Sequence, residues 1–331
     1  MDIIQQKACI IGRFNFLQQA HKELFIHVMG IANHIDIIID TRNPDQRPCT
    51  ILELEQAIGS IFLNIDFQNI QIHTFESEQA AANIMQKIDV NLIYNLTSSP
   101  LFPSDSPTIC PYSLKKIREI DSKIFDFQKN FSDIAVEFKR YVNKKVVISG
   151  IESCGKSIIV KKLASILSTT SSNEVGRFYS DTYLGKRETT FQPKDFVHIV
   201  MEQTLQDKKE NLLAHKYLLV DTDPIVTLYY LELYQEDMIA FLDKEEYTQA
   251  VQFIETLIKN YREKVDIVLY LEPHTPYIAD GKRWNANLEK RLILNNRLKS
   301  FYQRYDIPLK IIDSISYDDR FNECLAIIKN L

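Results

Sequence analysis

The chain has 331 residues, too many for one comfortable hydrophobic core, so two domains are expected. It is 45% hydrophobic and 25% charged with a net charge of −5, an ordinary globular composition that exerts no general pull toward nucleic acid or an anionic membrane. No apolar run approaches the roughly 20 residues that span a bilayer, the first residues lack the pattern of a secretory signal, and the five scattered cysteines form no CxxC pair, so a reducing cytoplasm is the expected compartment.

Short apolar runs then alternate with longer amphipathic stretches. Ala8-Cys9-Ile10-Ile11 reads as a buried strand, Ala20 to Ala32 as a helix, and Asp36 to Ile39 as a second strand. Thr50 to Leu63 reads as a helix with Thr50 as N-cap and Glu53 at the third position, the capping-box pattern. Further strands are expected at Ile70 to Thr74 and Leu92 to Asn95. Four prolines between Pro100 and Pro111 exclude a helix or central strand there, and a charged helical stretch is expected from Ser113 to about Phe138. At Lys144-Lys145 the pattern restarts with the strand Val146 to Ser149, followed by strands at Leu218 to Val220, Ile267 to Leu271 and Leu309 to Ile312. The predicted fold class is α/β, with two domains, each a parallel sheet flanked by helices, over residues 1–143 and 144–331.

Only 8 glycines occur in the chain, so a glycine motif stands out. The strand Val146 to Ser149 runs into Gly150-Ile151-Glu152-Ser153-Cys154-Gly155-Lys156-Ser157 and then an amphipathic helix, which is G-x-x-x-x-G-K-[ST] in the strand–loop–helix context that the motif needs. Gly150 and Gly155 let backbone N–H groups curl around phosphates, with Glu152, Ser153, Cys154 and Ile158 completing the loop. Lys156 is expected to reach the β- and γ-phosphates of ATP, and Ser157 to help bind Mg²⁺. Asp221, at the end of the apolar run Tyr217 to Val220, is the expected metal-linked carboxylate, while Asp223 before Pro224 also fits a helix N-cap. Arg283, beside the only tryptophan, Trp284, is a candidate to offset charge on a transferring phosphoryl group.

The segment from Lys145 onward resembles the ribosylnicotinamide kinase half of the NadR-type bifunctional enzymes. The likeness rests on the phosphate loop, then Glu174-Val175-Gly176-Arg177, Asp221-Thr222-Asp223, Thr275-Pro276-Tyr277 through Arg283, and Asp318-Asp319-Arg320-Phe321. It implies ATP-dependent phosphorylation of the 5′-hydroxyl of nicotinamide riboside, giving nicotinamide mononucleotide. An aromatic face attracts the riboside's pyridinium cation, and Tyr179, Tyr277 and Trp284 are candidates for it, with Arg177 beside them. Glu174 and Asp223 are both open as ribose ligands or as acceptor of the 5′-hydroxyl proton.

The first half resembles the nucleotidyltransferase domain that precedes the kinase in that family, a Rossmann-like fold that joins the mononucleotide to ATP to give NAD. There a G-[RK]-F stretch ends in H-x-G-H, and a later S-x-T-x-x-R opens a helix. This chain has Gly12-Arg13-Phe14 and His21, but Gln18 replaces the first histidine and Ala20 the glycine; later, Ser113 and Arg118 are kept while Lys115 replaces the threonine. Glutamine brings no positive charge, and losing one such donor typically costs about a hundredfold in rate, so a weak or binding-only site is expected. The competing readings are a kinase of another nucleoside and a nucleotide-sensing regulatory protein. With a strand expected within ten residues of Met1 and an acidic balance, no helix-turn-helix or DNA partner is expected; a homo-oligomer is compatible with the pattern.

Overall fold

The computed structural model describes residues 6–43, 47–88, 90, 92–97, 125–185, 191–238, 244–274 and 288–331. They form two compact units that divide between Val142 and Asn143. Among the described residues no helix is long and apolar enough to cross a membrane.

The first unit is built on a parallel sheet in the order β3-β2-β1-β4, with β1 Lys7–Gly12, β2 His34–Asp40, β3 Ile70–Phe75 and β4 Leu92–Asn95. Strands β1 and β2 are apolar on both faces because helices cover the sheet, and Ala8, Cys9, Ile10, Ile11, Ile37, Ile38 and Ile39 are fully buried. Helices α1 (Gln19–Met29), α2 (Ile51–Leu63) and α3 (Glu78–Met85) follow the first three strands. Helix α2 starts as expected: Thr50 Oγ1 accepts from the Glu53 N–H at 3.2 Å and Glu53 Oε2 accepts from the Thr50 N–H at 3.0 Å.

The stretch expected to stay helical to Phe138 is, from residue 125 onward, a run of turns, a 3₁₀ turn at Phe131–Asp133 and the one-turn helix α4, Val136–Lys139. Tertiary contacts override the charged pattern. The Ala135 N–H donates to the Leu17 carbonyl at 2.8 Å, Ile134 forms a bridge with Gln18, and Phe131, Ile134, Ala135 and Phe138 are all buried in the unit's core.

The second unit carries a five-stranded parallel sheet in the order β6-β7-β5-β8-β9. Its strands are β5 Lys144–Ser149, β6 Ser171–Ser172, β7 Tyr217–Asp221, β8 Ile267–Leu271 and β9 Leu309–Ile312. Helices α5 (Lys156–Ile166), α6 (Val175–Tyr183), α7 (Pro193–Leu213), α8 (Pro224–Met238), α9 (Lys244–Arg262), α10 (Leu288–Arg304) and α11 (Tyr317–Lys329) complete it. Strand β5 lies centrally, with β7 on one side and β8 on the other, so the chain reverses direction across the sheet at its carboxyl end. That is where open α/β sheets form a ligand crevice.

Candidate active site

The loop from Gly150 to Ser157 leaves β5 at that crevice and turns into α5. Gly150 takes φ +138°, and a Cβ there would stand 2.7 Å from the Leu271 carbonyl oxygen, so only glycine lets the loop pass this close to β8. Gly155 is left-handed at φ +84° and caps α5, presenting the helix's first N–H groups to the crevice. Lys156 Nζ donates to the Ile151 carbonyl at 3.0 Å, which keeps the ammonium over the loop.

Two arginines buttress the loop from behind. Arg320 on α11 is fully buried and donates to the carbonyls of Cys154 (3.3 Å), Glu272 (2.9 Å) and Ser314 (2.6 Å), and Arg291 on α10 donates to the Glu152 carbonyl at 3.2 Å. Sequence reasoning named Arg320 only as part of a family motif and missed Arg291 altogether. Cys154 is a buried packing group: its Sγ faces the Glu152 carbonyl at 3.7 Å, and burial pushes the thiol above its ordinary pKa.

Asp221 ends β7 level with Ile148 of β5, which brings its carboxylate to the mouth of the loop. It is only 2% exposed, its Oδ1 accepts from the Thr222 hydroxyl at 3.5 Å, and Ser157 lies near enough to favour its charged form. Burial raises its pKa, against the opposing pull of Lys156. A buried carboxylate beside a hydroxyl and a loop built for phosphates is the all-oxygen donor set that suits Mg²⁺. Among the described residues no group of three or more His, Cys, Asp or Glu could hold a metal ion.

Asp223 resolves toward its capping role. Its Oδ1 accepts from the Val226 N–H at 3.1 Å at the start of α8, and its Oδ2 accepts from the hydroxyls of Tyr261 (2.8 Å) and Tyr302 (2.9 Å). With both oxygens committed and 2% exposure, it is not placed to take a proton from a substrate. Glu174, half-buried at the N-cap of α6, has no capping bond to occupy it. The next residue's N–H is fixed by Gln203 Oε1 at 3.1 Å, and Gln203 Nε2 is itself held by Ser172 (2.9 Å) and Asp207 (3.0 Å).

These parts enclose a cavity of about 750 Å³. Its lining includes Gly150, every loop residue from Glu152 to Ser157, Ile158, Glu174, Arg177 and Asp223. One wall of the cavity is aromatic, from residues that the sequence did not single out. Phe191 and Phe196 lie 5.2 Å apart between ring centroids, Phe191 stacks on Tyr234 at 5.9 Å, and Tyr230 continues the row 6.2 Å from Tyr234. Their signal was faint, since the i, i+4 pair Tyr230 and Tyr234 sits within a helix rich in apolar residues. Tyr179 is corrected: its hydroxyl donates to Asp195 at 2.9 Å, it is 9% exposed, and it is not among the cavity residues. Tyr277, Arg283 and Trp284 lie outside the described residues.

The first unit's candidate site lies at the carboxyl ends of β1 and β2. A Cβ at Gly12 would stand 2.8 Å from the Phe14 ring, so glycine leaves that ring its place. Three arginines gather around Asp40. Arg42 grips its carboxylate through Nε (2.9 Å) and Nη2 (2.7 Å), Arg13 Nε lies 3.9 Å away, and Arg47 donates to the Arg13 carbonyl at 2.7 Å. Burial alone would raise the Asp40 pKa, but the hydrogen bonds and charge of Arg42, with Arg13, hold it below the usual range. His21, kept from the family's motif, brings no positive charge. It is 4% exposed, its Nδ1 accepts from the Gln18 N–H at 3.0 Å, and burial lowers its pKa to about 3, so it is neutral. Gln18 is the N-cap of α1, in a capping box with His21. Arg42 and Arg47 were missed by sequence reasoning, though the run Thr41-Arg42-Asn43 directly after a strand was available. Ser113 and Arg118 lie outside the described residues.

Residues 145–320, just over half of the chain, match the protein family described as AAA domain. The chain is 31% identical over 198 residues to the trifunctional NAD biosynthesis/regulator proteins NadR of Salmonella typhimurium and of Escherichia coli. That stretch is 60% of this chain and 45% of each relative, so the chain spans under half the length of the curated relatives it matches. A NadR protein solved in complex with NR superposes with a TM-score of 0.74 at 19% identity, covering 98% of this chain and 96% of that one. A NadR protein with NAD and AMP-PNP superposes at 0.72 and 17% identity, with the same coverage. The two-unit α/β fold is that of NadR.

Proposed function

The chain belongs to the AAA-domain family, and from that premise we propose that its second unit transfers the γ-phosphoryl group of ATP to the 5′-hydroxyl of nicotinamide riboside. The observation that carries the reading is one cavity lined by a phosphate loop together with Glu174 and a row of aromatic rings, with Asp221 close behind Ser157 of that loop. The loop N–H groups and Lys156 bind the β- and γ-phosphates, and Ser157 and Asp221 would hold Mg²⁺. Bound there, Mg²⁺ neutralises charge on the transferring group. Glu174, at the cavity edge and free of capping duty, receives the proton as the 5′-oxygen attacks phosphorus and ADP leaves. Arg177, one turn into the same helix, faces the cavity and offsets negative charge.

The chemistry of the relatives supports the same ligands. They are NAD biosynthesis and regulator proteins, and the superposed structures hold NR, NAD and AMP-PNP. We extend ATP, nicotinamide riboside, nicotinamide mononucleotide and NAD to this chain on that support. The first unit is proposed to bind adenine nucleotide at its arginine cluster and to make NAD slowly, in a cytoplasmic setting that agrees with free cysteines at 9, 49, 154 and 324. The test is ADP release from ATP and Mg²⁺ across a panel of nucleosides. Nicotinamide riboside is expected to give ADP and the mononucleotide; a protein that binds ATP but turns over only a different nucleoside would overturn the assignment.

A further inference from the structure

Glu152 sits inside the phosphate loop, where a carboxylate is electrostatically out of place. Every charge it brings repels the polyphosphate that the loop is built to hold. Its side chain, however, is directed to the acceptor wall: Oε1 accepts from the Tyr230 hydroxyl at 3.3 Å, while the Glu152 backbone carbonyl is held by Arg291. Tyr230 is the first ring of the row that continues through Tyr234 to Phe191 and Phe196, and all four rings line the cavity with Glu152. Glu174 lies close enough that its charge, like that of Glu152, is felt at the Tyr230 hydroxyl.

A flat neutral base would gain stacking from this wall and nothing from the two carboxylates. A flat cationic ring gains both, since an aromatic face attracts a cation and a carboxylate beside it balances the charge at short range. We propose that Glu152 is the specificity-determining residue of the acceptor site, its charge selecting a riboside whose ring is cationic over one whose ring is neutral. The inference rests on the kinase reading above and deepens it. It also accounts for the acid in the loop: repulsion of ATP is offset when a cationic acceptor occupies the wall, so the two substrates should favour each other's binding.

The experiment compares two acceptors that differ by little more than charge, nicotinamide riboside and its neutral 1,4-dihydro form. Full-length protein is assayed for ADP release with each, as wild type, Glu152→Gln, Glu152→Ala and Tyr230→Phe. Glu152→Gln keeps hydrogen-bonding capacity and removes charge, so kcat/KM for the cationic riboside should fall about tenfold, mainly through KM, while the neutral form changes less than about twofold. Glu152→Ala should match it, and Tyr230→Phe should keep the preference because both ring and charge remain. Parallel losses for both ribosides, or a preference unchanged in Glu152→Gln, would overturn the inference and leave the kinase assignment standing. Wild type inactive on both ribosides would instead remove the kinase assignment. Calorimetric binding of each riboside without nucleotide reads the same ratio should a variant lose ATP binding.

Discussion

A methyl group at Gly150 and one at Gly155 face different surroundings, although both glycines belong to the phosphate loop. At Gly150 it would stand 2.7 Å from a β8 carbonyl with φ at +138°, whereas at Gly155, with φ +84°, nothing lies within 4 Å. Gly155→Ala should therefore cost only the left-handed backbone penalty of about 1–2 kcal/mol, while Gly150→Ala must also displace the loop and should lose the stabilisation that ATP gives in a thermal melt. Equal ATP-induced shifts in the two variants would contradict that distinction. His21 makes a pH prediction of definite sign. Its folded pKa of about 3 lies below the ordinary value of 6.5, so the unfolded chain binds the extra proton as pH falls through 6.5. The first unit's stability should accordingly decline as pH drops from about 6.5 toward 3, and be fully present above 6.5. His21→Gln should flatten the decline measured by denaturant midpoint between pH 6.5 and 5, where few carboxylates titrate; an unchanged slope would show that the imidazole is not buried neutral.

At the scale of elements, the phosphate loop is held by contacts that arrive from far along the chain. Arg320 on α11 reaches the Cys154 carbonyl across 166 residues and also ties down the ends of β8 and β9 through Glu272 and Ser314. Arg320→Met fills the volume but leaves the Cys154 and Ser314 carbonyls without a donor, while Glu272 keeps the His274 N–H, so it should lower unfolding free energy by about 3 kcal/mol and raise KM for ATP. A change under about 0.5 kcal/mol, of the size usual for surface substitutions, would show the arginine to be dispensable. This division also marks what the sequence made legible. Strand β5, the loop and α5 are contiguous, so their motif shows in a single window. The buttressing arginines, the Gln203–Asp207 support of α6 and the capping of α8 by Asp223 depend on tertiary neighbours that no window contains. The failed helix before Phe138 has the same cause, since its backbone is taken by Leu17 and Gln18. Tyr179 was misread because one aromatic near a motif looks like another until its hydroxyl is seen paired to Asp195.

In the whole molecule, each unit has its own buried core, so a substitution at one candidate site need not unfold the other unit. Lys156→Ala removes phosphate charge compensation in the second unit and no core packing, and in that background NAD formation from the mononucleotide and ATP reports on the first unit alone. Around Asp40 the described cationic groups are Arg13, Arg42 and Arg47, already partly neutralised by its carboxylate, while His21 is uncharged and Gln18 carries no charge. Binding of adenine nucleotide with turnover below about 1 s⁻¹ is the expected result. Gln18→His with Ala20→Gly should raise the rate by supplying a donor at the N-terminus of α1 and clearing a Cβ from the phosphate approach. A parent rate of roughly 1 s⁻¹ or more would mean that the arginines suffice and the altered motif is functional as it stands. A negligible rate that the double variant leaves unchanged would mean that the first unit binds nucleotide without turning it over, since neither charge at position 18 nor access at position 20 then limits it.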